Sequence, residues 1–371
     1  MTLKNPGRFS LASSHAGERS KYPHLLLCWL PPSLFGLLAL GVLGGGYWLL
    51  LPSLFLLGVL PLLDFLTAWQ DTAYFEKADF SPVEISWLSW SPRLYAVLYL
   101  GSLIWLTTNI RRFAPMEAAL LVLDLSLLAG VCFAAAHELL HAKARIDQFL
   151  QRLTTSVLFY PHYKLIHIRS HHVHVGTDHD ENTAWLSEGF YAYLLRTIPG
   201  SMQRCWQLEA GHLSGLSAAM HLLRNKMVLY AAGEVTLLVT LYLLSGGWGL
   251  LFYLAHIVGA HTVLESVNYI QHYGLLRGRS EGEYEDTGPE HSWDTYHFFS
   301  SYATFRVGHH SYHHLAVKPY YLLGTEPKAP TLPVGYLWSI PLVLLPPLWR
   351  HVINSRLRAL AGSIVPVPAA Q

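Results

Sequence analysis

The sequence predicts an all-α integral membrane bundle of about six transmembrane helices carrying a histidine-rich cap on one side. Three observations predict it. Of the 371 residues, 52% are hydrophobic and only 13% are charged, where a soluble domain carries about 25% charged residues. The apolar residues gather in runs approaching the roughly 20 that a spanning helix needs. The polar blocks between those runs, 137–226 and 267–334, hold most of the 22 histidines. The net charge of +1 lacks the basic surplus of a nucleic-acid-binding surface. Cys28, Cys132 and Cys205 are odd in number and widely spaced. They make neither a disulfide framework nor a CxxC metal site and read as core thiols.

Taken in order, residues 1–24 are polar and include Lys4, Arg8, Arg19 and Lys21. No small-residue cleavage site follows, so the first apolar run reads as an uncleaved span. That run is 25–43. The GGG turn at 44–46 then leads into 47–63, which predicts a helical hairpin. Further spans are expected at 93–108, 117–136, 227–244 and 247–266. The stretch 335–347 is short and proline-rich, and reads as an interfacial piece. No internal repeat is visible, so 25–371 is expected to form one membrane-embedded domain after the N-terminal segment 1–24. Lys and Arg concentrate in 142–226 and in the C-terminal segment, which places both on the cytoplasmic side of the inner (plasma) membrane. Six spans with both termini inside satisfy that placement. Arg111 and Arg112 then lie outside, against the rule.

The histidines form four clusters. His137 and His141 bracket HELLH at the end of the fourth span, and an i,i+4 pair on a helix points both rings the same way. HIRSHH supplies His167, His171 and His172. NYIQHYG places His272 just past the sixth span. HSYHH supplies His310, His313 and His314. Neutral imidazole is the commonest metal ligand and suits zinc, copper, iron and nickel. Nine histidines exceed what one ion takes, and two ions would use them well. HELLH also matches the HExxH zinc-protease pattern, but that reading leaves the other clusters unexplained. A divalent-metal transporter would spread its histidines and carboxylates near the bilayer midplane; here they gather at one edge.

At these residues a family resemblance emerges. HELLHAK, HIRSHHVHVGT, LESVNYIQHYG, PEHSW and FRVGHHSYHH, in this order, resemble the integral-membrane alkane 1-monooxygenases of the fatty-acid desaturase/hydroxylase superfamily. The resemblance runs from about the fourth span to PPLWRHVINSR at 346–356. It implies a six-helix bundle, a hydrophobic channel and a non-haem centre of two iron ions near the cytoplasmic face, with no haem or flavin. Carried over position by position, the ligands would be His137, His141, His167, His171, His172, His272, His310, His313 and His314. Glu138, Glu265, Asn268 and His291 would support them from outside the cage. His309 adjoins a ligand but faces elsewhere on a helix. Electrons would come from rubredoxin or a ferredoxin-type protein, fed by an NAD(P)H-dependent reductase. The expected reaction is hydroxylation of a hydrocarbon methyl group, an alkane terminus or, as in the related xylene and p-cymene enzymes, a benzylic carbon. A fatty-acyl desaturase or decarboxylase on the same scaffold is the second enzyme reading. Ile166, Ser170, Gln271 and Tyr312 depart from the family pattern beside the ligands. Asp64, Asp124, Glu234 and Glu265 are costly in lipid and are functional suspects for that reason.

Overall fold

The structure, a computed structural model, describes residues 22–71 and 80–361. Most of the expected polar segment 1–24, and the tail from 362, lie outside the described residues. Among the described residues the only strands form a two-stranded antiparallel ribbon, Arg279–Ser280 against Glu283–Tyr284, with Arg279 facing Tyr284; the rest is helices and connecting loops. The all-α expectation is amended only there.

Helix Leu30–Gly44 ends in the glycine run. Gly45 takes φ 64° and Gly46 φ 53°, a region that side chains bearing a Cβ disfavour. The chain then turns back into Gly46–Thr67. The two legs pack so closely that a Cβ on Gly41 would sit 2.8 Å from the Trp48 carbonyl oxygen. Pro61 in the returning leg cannot donate to the carbonyl four residues earlier, and the wider π turn Phe55–Val59 just before it accommodates this.

Helix Pro82–Asn109 starts earlier than the expected span at 93. Its first turns, PVEISWLSWSP, carry Glu and Ser among the apolar residues, so hydropathy alone misses them. Its start is fixed by a capping box: the Ser81 hydroxyl accepts from the Glu84 amide, and the Glu84 carboxylate accepts from the Ser81 amide at 2.8 Å. Helix Pro115–His141 then runs unbroken from the expected fourth span into HELLH. Glu117 holds its start, accepting from the Ala114 amide at 2.9 Å and from Gly46 at 2.7 Å.

Lys226–His272 is interrupted at Gly246, whose φ of 69° breaks the helical run. The expected fifth and sixth spans fall on either side of that residue. Gly246 lies against Arg111, at the turn joining the 82–109 and 115–141 helices, whereas His272 meets the other histidines. The 115–141 and 226–272 helices are in close contact through small residues. A Cβ on Gly130 would collide with Val263, and one on Gly259 with Ser126.

Among the described residues three helices, Gly46–Thr67, Pro115–His141 and Lys226–His272, are long and apolar enough to cross a membrane; Leu30–Gly44 is apolar but shorter. Two of the acids in apolar runs, Asp124 and Asp64, have partners that tie elements together. Asp124 accepts from the amide and hydroxyl of Ser53, joining helix 115–141 to the returning leg of the hairpin. Asp64 accepts from the amides of Phe299 (2.7 Å) and Ser300 (3.1 Å) and so caps helix Phe298–Ala303. Deeper still, Asp71 accepts from Arg306 Nε at 2.7 Å and Nη2 at 3.2 Å, and pairs with His309 Nε2 at 3.0 Å. All three side chains are fully buried. Burial alone would raise the Asp71 carboxyl, but Arg306 and His309 hold it well below the usual carboxylate range. Asp64 and Asp71 thus fasten the N-terminal hairpin to the segment that leads into HSYHH.

Candidate metal centre

Four elements deliver the clustered histidines. His137 and His141 stand one turn apart at the end of helix 115–141. His167 and His171 open and close the π turn His167–His171, with His172 next in line; such wide turns recur at functional sites. His272 is the last residue of helix 226–272. His310, His313 and His314 share the short helix His310–Leu315. Asp294 pins that short helix: its carboxylate accepts from the Ser311 amide (2.7 Å) and hydroxyl (2.6 Å) and from the Tyr296 hydroxyl (2.6 Å).

The rings gather into two groups. His137, His141, His167 and His313 form one, and His171, His272, His310 and His314 the other. Within each group one ring nitrogen per residue lies within 4.8 Å of the rest. His172 reaches both. Its Nε2 is 2.9 Å from His167 Nε2 and 3.2 Å from His313 Nε2, and its ring centre is 4.8 Å from that of His314. His309 stands apart, with Nδ1 on the Gly324 carbonyl and Nε2 on Asp71.

Nitrogen meets nitrogen throughout. His137 and His313 face each other at 3.0 Å, His141 and His167 at 3.2 Å, His272 and His310 at 3.1 Å, and His310 and His314 at 3.1 Å, all through Nε2. One shared proton does not satisfy His310 or His167, whose Nε2 each faces two others. A common cation does. With metal–nitrogen bonds of about 2.1 Å, neighbouring ligands at right angles stand about 3 Å apart. The residues therefore fit metal ions, and the all-imidazole donor set suits a first-row transition metal. Burial pushes His172 down to about 3 and holds His310, His313 and His314 well below the ordinary histidine value, with neighbouring imidazoles adding to the effect. Neutral imidazole is the form that binds metal.

The surroundings orient the rings. His171 Nδ1 lies 3.0 Å from Asp180 Oδ2. Asp180 is itself held by the Asn182 amide at 3.1 Å and the Thr183 hydroxyl at 3.2 Å. Burial opposes its charge, but His171, His272 and the Asn182 amide outweigh this and keep the carboxyl below its usual range. His272 Nδ1 faces the His291 carbonyl at 3.3 Å, so His291 acts here through its backbone. Its imidazole meets the Gly288 amide and Glu285 instead. Glu138 stands 4.0 Å from His137 Nδ1 and accepts from the Tyr320 amide at 2.8 Å. Glu265 accepts from Asn268 at 3.1 Å and lies near Tyr160 and Tyr193.

Asp180 and Asp294 escape a reading of the sequence. Asp180 lies nine residues beyond His171 in an irregular loop, at no periodic spacing. Asp294 directly follows PEHSW, and that adjacency is the one signal that marks it. Carboxylates behind metal-bound histidines typically contribute 10–100-fold to metal affinity. Asp180→Asn is accordingly expected to lower metal affinity by roughly ten-fold or more, read by competition with a chromogenic chelator. Unchanged affinity would remove Asp180 from the centre.

An apolar cavity ends at the histidines. Leu127, Phe133, Val263, Leu337 and Ile340 line it, and it touches His137, His167, His171 and His310. Asn268 and Gln271 supply polar groups to its wall.

Comparisons with known proteins cover the histidine-bearing part of the chain. The fatty acid desaturase family model matches residues 114–325, which contain all nine clustered histidines. Alkane 1-monooxygenase 2 of Pseudomonas aeruginosa is 33% identical over 322 residues, 84% of this chain and 84% of that protein. Alkane 1-monooxygenase of Ectopseudomonas oleovorans is 30% identical over 362 residues, 93% of this chain and 87% of that protein. The xylene/toluene monooxygenase hydroxylase component of Pseudomonas putida is 27% identical over 325 residues, 85% of each chain. The chain belongs to the alkane 1-monooxygenase family, metal-binding membrane oxidoreductases within the fatty acid desaturase group.

Proposed function

We propose that the protein is a non-haem diiron monooxygenase that hydroxylates the terminal methyl group of an alkane to a primary alcohol. The observation that carries this reading is the pair of four-histidine groups, with His172 beside both, in the wall of an apolar cavity. In the proposed arrangement residues 25–371 form one domain of six spans, with the histidine-rich cap and both termini on the cytoplasmic side of the inner membrane. Rubredoxin or a ferredoxin-type protein, reduced through NAD(P)H, supplies the electrons.

When bound, iron supplies the dioxygen activation and C–H oxidation that no side chain performs. The protein's own residues do the rest. The nine proposed ligands, His137, His141, His167, His171, His172, His272, His310, His313 and His314, hold two ions. Asp180 and the His291 carbonyl fix ring orientation and tautomer for His171 and His272. Leu127, Phe133, Val263, Leu337 and Ile340 keep the cavity dry and favour a hydrocarbon chain already dissolved in the bilayer.

A second reading is a benzylic methyl hydroxylase. Gln271, at one of the positions that depart from the alkane pattern, lines the cavity with its Nε2 unbonded, and a xylene/toluene enzyme is among the relatives. The test is product analysis in cells fed n-octane and p-cymene together. The protein is paired with a rubredoxin/reductase couple or a ferredoxin/reductase couple, with His313→Ala as control. The expected product is 1-octanol, lost in the control. A benzylic alcohol instead selects the second reading. An iron-loaded protein that oxygenates neither compound with either donor overturns both and promotes a fatty-acyl substrate.

A further inference from the structure

Two cavities reach the histidines, and they differ in chemistry. The apolar one ends at His137, His167, His171 and His310. The other, with a volume of about 340 Å³, ends at His141. It lies between the start of helix 82–109, the end of helix 115–141 and the segment 317–321. Arg93, Glu138, Lys143, Asp147 and Lys318 contribute to its wall. Arg93 is held against that wall by a bidentate pair with Asp147, at 2.6 and 3.0 Å. His141 is half-buried, while the other three rings of its group are buried. The volume far exceeds the roughly 10–15 Å³ that one water requires, and the lining offers polar partners.

We propose that this cleft, the more polar of the two cavities, is the route by which water and protons reach the metal centre, separate from the path of the hydrocarbon. The inference rests on the monooxygenase reading above, whose balance requires such a route. RH + O2 + 2e− + 2H+ gives ROH + H2O. The O–O bond breaks, one oxygen enters the C–H bond, and the other leaves as water. The electron-transfer partner supplies two electrons, and solvent supplies two protons. Dioxygen is apolar and can share the hydrocarbon's path. Protons are poorly served there, because a wall dominated by Leu127, Phe133, Val263, Leu337 and Ile340 offers few polar partners beyond Asn268 and Gln271, and charge beside apolar side chains is costly. The cleft offers those partners up to the edge of His141. Keeping the two paths apart leaves the hydrocarbon side dry while each turnover exchanges protons and water on the other.

A thiol at the rim tests this. Ser89 lines the cleft, and the native Cys28, Cys132 and Cys205 are all buried, so Ser89→Cys adds an accessible thiol to a chain that already folds. The purified, iron-loaded variant is treated with a bulky sulfonated methanethiosulfonate, and the release of ferrous iron to a sulfonated chelator is followed without any electron donor. Labelling is expected to slow release several-fold, reversibly with a small thiol. In the coupled assay it should lower turnover several-fold while leaving the hydrocarbon KM unchanged. Unchanged iron release after complete labelling overturns the proposal, whatever happens to turnover, since a label that merely repels the donor protein has no effect in that arm. A thiol that fails to react also overturns it, because the cleft is then closed to water. Slowed iron release in a protein that oxidises no hydrocarbon retains the cleft and sinks the activity reading, so the two failures are distinguishable.

Discussion

His172→Ala is expected to abolish hydroxylation and to lower bound iron, although all four histidines of each group stay in place. Its Nε2 lies 2.9 Å from that of His167 and 3.2 Å from that of His313, and its ring packs 4.8 Å from His314. The loss should exceed the roughly 10–100-fold expected for a supporting partner such as Asp180. Metal analysis of the purified variant beside its turnover decides the matter. If both iron content and rate survive, His172 is a neighbour of the centre and the ligand set contracts to the two groups of four.

The second large effect is on stability and arises away from the metal. Asp71→Ala leaves the Arg306 guanidinium and the His309 ring buried without their carboxylate. Removing one partner of a buried ion pair typically costs about 3–5 kcal/mol. Thermal unfolding in detergent should show a correspondingly large loss, with a smaller one for Asp71→Asn, which keeps an acceptor. Asp178→Asn, at an exposed site where the carboxylate accepts from the Tyr284 hydroxyl at 2.9 Å and lies 3.4 Å from His179 Nδ1, should shift unfolding little. His309 directly precedes His310, so Asp71→Ala is also expected to loosen metal retention. An Asp71→Ala protein as stable as Asp178→Asn would show that the buried triad contributes nothing net.

How much of this was legible in the sequence depends on range. Local patterns carried far. The i,i+4 spacing of His137 and His141 placed both rings on one helix face, and the glycine run at 44–46 marked a hairpin whose φ values require glycine. The helix that carries the expected third span begins before it, at Pro82, because the Glu and Ser of 82–92 hide its first turns from hydropathy. What stayed hidden is pairing over long separations. Nothing near Asp71 announces Arg306, and nothing near His171 announces Asp180. Asp64 drew attention as a carboxylate in an apolar run, yet its partners are the amides of Phe299 and Ser300, far along the chain. The two-group division of the histidines is likewise a property of the folded chain: His167 and His171 sit in one π turn yet face different groups.

The scattering of the rings along the chain has a consequence for biogenesis. Each four-histidine group contains at least one residue from 310–314, which emerges from the ribosome after helix 226–272. On the proposed ligand set, neither ion finds its full complement until that last segment has docked. A half-made chain meanwhile presents HELLH and HIRSHH alone, and all-imidazole sites favour copper over ferrous iron by intrinsic affinity. Iron selectivity then depends less on the finished cage than on which ions are available in the cell while it closes.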